Sequence, residues 1–200
     1  MTETHAIAHD PERVALKEWA VLVNAMARGD LIAMIRKGGI REHRAGFDVR
    51  HDRFLLYPTF FHEKLNELAP RFHSTLEAAH ATRPPNGMIE LRHLATVAAV
   101  WQVTQLERLR AIGGEHGLTW GAVESRFNYR DDPRVHVVAV RIAALPAVIT
   151  LPEVRRYTGC VSWVKLDEDV DVAGARPVLD DAAFAARFEV LERALGGVAT

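Results

Sequence analysis

The side chains best suited to chemistry gather between residues 36 and 62. Arg36, Lys37, Arg41, Arg44, Arg50 and Arg53 outnumber Glu42, Asp48 and Asp52, and Gly38-Gly39 sits among them. Arginine presents a planar fork of donors that fits phosphate and other oxyanions. A glycine pair allows a turn with positive φ and leaves the backbone uncluttered for a ligand to approach. Tyr57 and His62, a little downstream, offer rings on which an unstacked base could lie, the combination that single-stranded or flipped-out bases use. The candidate anion or nucleic-acid site is therefore Arg36, Lys37, Gly38, Gly39, Arg41, Arg44, Tyr57 and His62. The competing reading has equal weight: the charges are solvated flanks of two strands, and Arg36 pairs with an internal carboxylate to tie the loop down.

Other chemistries find less support. A phosphate-cradling loop needs a glycine-rich turn followed by Lys and Ser or Thr, and a dinucleotide fold needs G-x-G-x-x-G after a first strand; RKGGIRE supplies neither. The ten histidines do not form H-E-x-x-H, since His62-Glu63 is followed by Lys64, Leu65 and Asn66. His73 and His80 lie two turns apart without a third ligand nearby, so neither a metal nor another cofactor is expected. Cys160 is the single cysteine; it has no histidine partner by spacing, and no G-x-S-x-G elbow occurs. It reads as a small buried thiol in the turn YTGCVSW. No catalytic residue is assigned.

The elements that would position these residues follow from periodicity. Leu16, Trp19, Ala20, Val23, Met26 and Ala27 fall at helical spacing with Gly29 as a stop signal, and a strand is the competitor there. LIAMI and FLLY read as short strands, the second ended by Pro58, after which Thr59 would cap a helix containing Phe60, Phe61 and Leu65. More helix is expected over 69–81, and RPPNG at 83–87 is a break. From Met88 the period changes to two, with Ile89, Leu91, Val97, Ala99, Trp101 and Val103 on one parity, which predicts a long half-buried strand or a strand pair. LERLRAI and TWGAVESRF read as short helices. VHVVAVRIAAL is the strongest strand, ended by Pro146, and VITL and SWVKL add two more around YTGC. DEDVD at 167–171 reads as a solvated loop. A helix over about 180–195 closes the chain, with an aspartate cap and Phe184, Phe188, Leu191 and Leu195 on one stripe.

Composition bounds the class. The 200 residues are 48% hydrophobic and 26% charged with a net charge of −1, as in one ordinary globular domain. A chain of this length buries roughly 70% of its unfolded surface. Residues 1–12 read as a loose N-terminal arm and 13–200 as one globular domain. Near-neutrality argues against a generic basic polyelectrolyte binder, because non-specific nucleic-acid affinity rests on many phosphate-neutralising cations. The lone cysteine, the absence of an apolar leader and the absence of a membrane-length apolar run point to a cytoplasmic protein without membrane contact.

ALKEW (15–19), IRKGGIRE (35–42), FLLYPTFFHE (54–63), SRFNYR (125–130), VHVVAVRIAAL (135–145) and YTGCVSW (157–163) together resemble the prokaryotic family called domain of unknown function 1802, over residues 15 to about 168. That family carries no established activity. Its members are said to occur joined to restriction-endonuclease-type domains, which implies a role in restriction or other DNA defence. A looser similarity is to PUA-like β-barrels, the ASCH group above all, whose motif is G-x-K-x-x-[TE]-x-R. Gly29 and Arg36 match it, whereas Leu31 stands for the lysine and Met34 for the threonine or glutamate. Amidohydrolase chemistry in some ASCH proteins uses that lysine, so the resemblance favours the scaffold over the reaction.

The expected fold is α+β: a small mixed or antiparallel PUA-like barrel with helices packed outside and an added C-terminal helix, an open α/β sandwich being the runner-up. The expected function is a binding module for nucleic acid, single-stranded or carrying a modified base. The alternatives are a small enzyme, either an amidohydrolase or a nuclease accessory, and a protein-interaction subunit. The sequence leaves oligomeric state open.

Overall fold

Strand β1 (Pro11–Trp19) lies where helical spacing predicts the start of a helix, and only the second half of that segment coils, as α1 (Ala20–Ala27). This computed structural model describes residues 11–37, 51–61, 63–159 and 161–197. β1 is flanked on both sides, parallel to β3 (Arg53–Thr59) and antiparallel to β6 (Trp163–Asp171). Its successive side chains enter different cores: Leu16 packs into one cluster and Ala15 into another. A strand buried on both faces reads as a continuous apolar run, which periodicity cannot separate from a helix. Glu12 pairs with Val170, so part of the expected loose arm belongs to this strand.

The two cores define the architecture. β2 (Ala33–Arg36), β5 (Val135–Pro152), β4 (Met88–Val103), β3, β1 and β6 form a sheet in that order, and β7 (Arg176–Pro177) pairs with β5 beyond β2. The larger core lies between one face of the sheet and the helices α1, α2 (His73–Ala81), α3 (Trp120–Phe127) and α4 (Asp181–Leu195). The smaller joins Val164 and Leu166 of β6 to Ile89 and Leu91 of β4 and Leu151 of β5. β6 is at one end of the strand order, so the sheet must curl for these residues to meet. It is mixed and curled, but among the described residues its pairings do not close into a ring; the expected α+β class with outer helices and a C-terminal helix is present without barrel closure.

β5 is central, as its sequence predicts: Val135–Val140 and Ile142 pair with β4, while residues 136–139 also pair with β2. It does not stop at Pro146 but runs on to include VITL. Opposite two residues of β4 (Leu91 to His93), β5 advances five (Ile149 back to Ala144), so Pro146 lies in an unpaired excursion where its missing N–H costs no ladder bond. Pro58 is likewise inside β3. β3 pairs with β4 only through Leu55, and beyond that point its far edge is open, which tolerates proline.

Three further expectations change. No α-helix follows Thr59; its hydroxyl donates to the Glu18 carbonyl at 3.1 Å, and 3-10 turns occupy Leu65–Glu67 and Pro70–Phe72. LERLRAI is a 3-10 turn, Leu106–Ile112. DEDVD belongs to β6, an outer strand whose Asp167, Glu168 and Asp169 are exposed while Val170 is buried. Charges on an outer strand block edge-to-edge pairing with another chain.

Local signals account for the ends of the helices. α1 stops at Gly29, at φ +75°, where the Gly29 amide donates to Met26 and the Asp30 amide to Ala25, each at 2.9 Å. A Cβ there would sit 2.6 Å from Leu179 Cδ2, so glycine is required sterically as well. α4 begins at Asp180, whose carboxylate accepts the Ala183 amide at 2.7 Å. α4 buries Phe184, Leu191 and Leu195. Its Arg187 donates to the Gly29 and Asp30 carbonyls and pairs with Glu115 at 2.6 Å, binding α4 to the end of α1.

Candidate nucleic-acid interface

Where β3 parts from β4, a cleft opens. β3 continues alongside β1 through Tyr57, Pro58 and Thr59, while the start of β4 stays with the end of β5. The space between them, extended under α1 and the end of α3, is a cleft of about 1130 Å³. That is slightly above the roughly 300–1,000 Å³ of ordinary small-molecule sites. Trp19, Tyr57, Phe60, Phe61 and Tyr129 supply its aromatic lining, and residues 82–87 form one rim.

The floor is a buried polar cluster. Glu18, 6% exposed near the end of β1, accepts the Trp19 amide at 2.8 Å on one oxygen and the Arg36 guanidinium at 3.1 Å on the other. Arg36 also donates to the Lys17 carbonyl at 3.2 Å. Arg126, on α3, donates to the Ile35 carbonyl at 3.2 Å, and its guanidinium lies 5.3 Å from the Trp19 ring centroid. Burial holds its pKa below the usual arginine value and the Glu18 carboxylate works against that shift. Arginine stays charged through such shifts. The Glu18 carboxylate thus pairs with Arg36 and acts on the charge of Arg126, whose guanidinium lies near the Trp19 ring.

The residues expected to form the site have different surroundings. Arg36, Lys37 and Tyr57 line the cleft. Gly38, Gly39, Arg41, Arg44 and His62 lie outside the described residues, as does Cys160. Arg36 makes the internal ion pair that the competing reading anticipates. The Lys37 ammonium donates to the carbonyls of Phe127, Asp132 and Arg134, the last at 2.8 Å, and burial lowers its pKa despite Asp132 nearby. With three protons and three acceptors it ties the end of β2 to the turn after α3, where Arg130 and Asp131 hold positive φ. The Tyr57 hydroxyl donates to Glu153 at 2.6 Å, and burial followed by that bond raises its pKa far above the ordinary phenol.

At the mouth lie groups that the sequence did not single out. Phe61 is 64% exposed. The exposed Arg83 guanidinium rests 5.0 Å from the Phe61 centroid and 5.4 Å from that of Phe60, and it has no ion pair among the described residues. Glu18, Arg83, Arg126 and Glu153 are all distant in sequence from the 36–53 cluster. Glu18 alone carried a signal, an acid within ALKEWAVLV; the other three come to the cleft through tertiary packing. Among the described residues no group of three metal-ligating side chains occurs. His80 instead donates to the carboxylate of Glu63, which also accepts the Val21 amide at the start of α1.

The model of the family described as domain of unknown function (DUF1802) matches residues 15–189. The chain belongs to this family. The match takes in β1 through most of α4, farther than the resemblance over residues 15 to about 168. Among solved structures the chain is similar to a mutant form of the ASCH protein from Zymomonas mobilis, at 13% identity and a TM-score of 0.46, covering 80% of this chain and 92% of that one. It is similar also to a second structure of ASCH from Zymomonas mobilis, at 13% identity and a TM-score of 0.45, covering 89% and 94%. No curated protein matches the sequence. No helix among the described residues is long and apolar enough to cross a membrane.

Proposed function

We propose that this protein is a binding module for nucleic acid, with the cleft receiving an unstacked or modified base. The observation that carries the reading is the pairing of an aromatic-lined cleft with the exposed Phe61 ring and the Arg83 guanidinium at its mouth. Single strands are bound by such platforms: stacking on an aromatic is worth about 1–3 kcal/mol per base, and nearby cations meet the phosphates. Net charge of −1 confines that attraction to a local patch. Arg36 and Lys37 support the site from beneath, since their charges already meet Glu18 and three carbonyls. A place in restriction or DNA defence, implied by the family resemblance, belongs to the same proposal.

The test is salt-dependent binding of labelled single-stranded and duplex oligonucleotides. Wild type should bind single strands more tightly. Arg83→Ala should weaken that binding and flatten its log-log salt dependence by about 0.7, the value of one single-strand phosphate contact, and Phe61→Ala should weaken binding while leaving the slope unchanged. Both residues are exposed, so both variants should fold. Absence of salt-sensitive binding by the folded wild type would remove the proposal.

A further inference from the structure

Three carboxylates line the cleft, and they differ in what they have left to offer. Both Glu18 oxygens are engaged, and Glu90 pairs with Arg92 at 2.5 Å. Glu153 has no cation within ion-pair distance among the described residues. One of its oxygens accepts the Tyr57 hydroxyl, and among the described residues no partner occupies the other. The group is nonetheless held in place. Its backbone amide donates to the Gly87 carbonyl at 2.7 Å, fixing it to the rim, and Tyr57 is itself 2% exposed within the smaller core. The upward shift of the phenol keeps that hydroxyl protonated, so it remains a donor to Glu153 at any biological pH.

Resting on the base-binding reading, we infer that Glu153 is the specificity-determining residue of the cleft and that it selects guanine. An ionised carboxylate only accepts hydrogen bonds, and each of its oxygens has room for two. A phosphate would be repelled here, which leaves the sugar-phosphate backbone to the mouth beside Arg83 and sends the base edge inward. Guanine presents two adjacent N–H donors on its pairing edge, which a carboxylate can accept in parallel as a charge-assisted pair. Adenine and cytosine place a ring acceptor beside their amino group, and thymine flanks its one N–H with two carbonyls. Each of these sets an acceptor against a Glu153 oxygen.

The experiment uses fluorescence anisotropy with thymidine oligonucleotides carrying one central guanine, inosine, adenine or cytosine. Guanine should bind roughly tenfold or more tightly than adenine, cytosine or thymine, with inosine, which lacks the second donor, in between. Glu153→Gln replaces one acceptor by a donor at a half-buried position and should abolish the ordering; unchanged thermal unfolding shows that the variant is folded. Equal affinity for all oligonucleotides, a preference for another base, or a guanine preference that survives in Glu153→Gln overturns this assignment while leaving the binding module intact. If wild type shows no salt-sensitive binding to any of them, the base-binding reading falls and this inference with it.

Discussion

His116 should make the fold acid-sensitive in a defined window. It is 4% exposed, and its Nδ1 accepts the Leu118 amide at 3.2 Å, which fixes the neutral ring with its proton on the other nitrogen. Burial, followed by the charges of Arg71 and Arg126, lowers its pKa to about 4. The unfolded chain takes up that proton near the ordinary value of about 6.5, so between the two values the unfolded state binds more protons. The stability that depends on neutral His116 is therefore complete above about pH 6.5 and is lost progressively as the pH falls to about 4. A fall of roughly 2.5 pH units at about 1.4 kcal/mol each gives a loss of about 3–4 kcal/mol over the whole window. His116→Asn keeps an oxygen to accept the Leu118 amide and does not titrate. Urea unfolding at about pH 7.5 and about pH 4.5 should show wild type losing about 3 kcal/mol more than the variant across the window. His93, whose pKa burial also lowers, and the carboxylates contribute to both proteins and cancel in the difference. Parallel stability curves for the two proteins, or a His116 ring resonance that titrates near pH 6.5, would refute the reasoning. Because Arg126 is one of the charges acting on His116, protonation there would also add a cation near the Arg126 side of the cleft.

Two other measurements test the frame that holds the site. Lys37→Met keeps the length of the side chain but leaves the carbonyls of Phe127, Asp132 and Arg134 without their ammonium donor; the urea midpoint should drop by the equivalent of about 1–3 kcal/mol with an unchanged slope, and an unaltered midpoint would show that the turn after α3 does not depend on this lysine. Amide exchange through Val137–Ile142, where β5 is paired with β4 along its length and with β2 for part of it, should be among the slowest in the chain, and exchange as fast as at the 83–87 rim would contradict its central position.

Periodicity and end signals in the sequence determined much of the secondary structure. Alternation from Met88 marked β4 because its odd-numbered residues are mostly buried, Ile89 and Leu91 in the smaller core and Ala99, Trp101 and Val103 in the larger, while most of the even-numbered ones reach solvent. The Gly29 stop and the aspartate at the start of α4 were legible because each acts through neighbours one turn away. Segments whose burial is set by both faces, or whose proline falls where no ladder bond is needed, were not legible. β1 read as helix because its two faces enter different cores, and Pro58 and Pro146 read as strand ends although each lies where one side is unpaired. The same division holds for the site. Charge and glycine spacing brought Arg36 and Lys37 to notice, its ring brought Tyr57, and all three line the cleft. Spacing carries no information about a partner eighteen residues away across the sheet, and only the tertiary structure put Glu18 against Arg36. Nor could it bring Arg126 from α3, Arg83 from the rim and Glu153 from the end of β5 to one cleft. That convergence depends on β3 leaving β4 after Leu55, a long-range pairing decided by how the sheet curls around its second core.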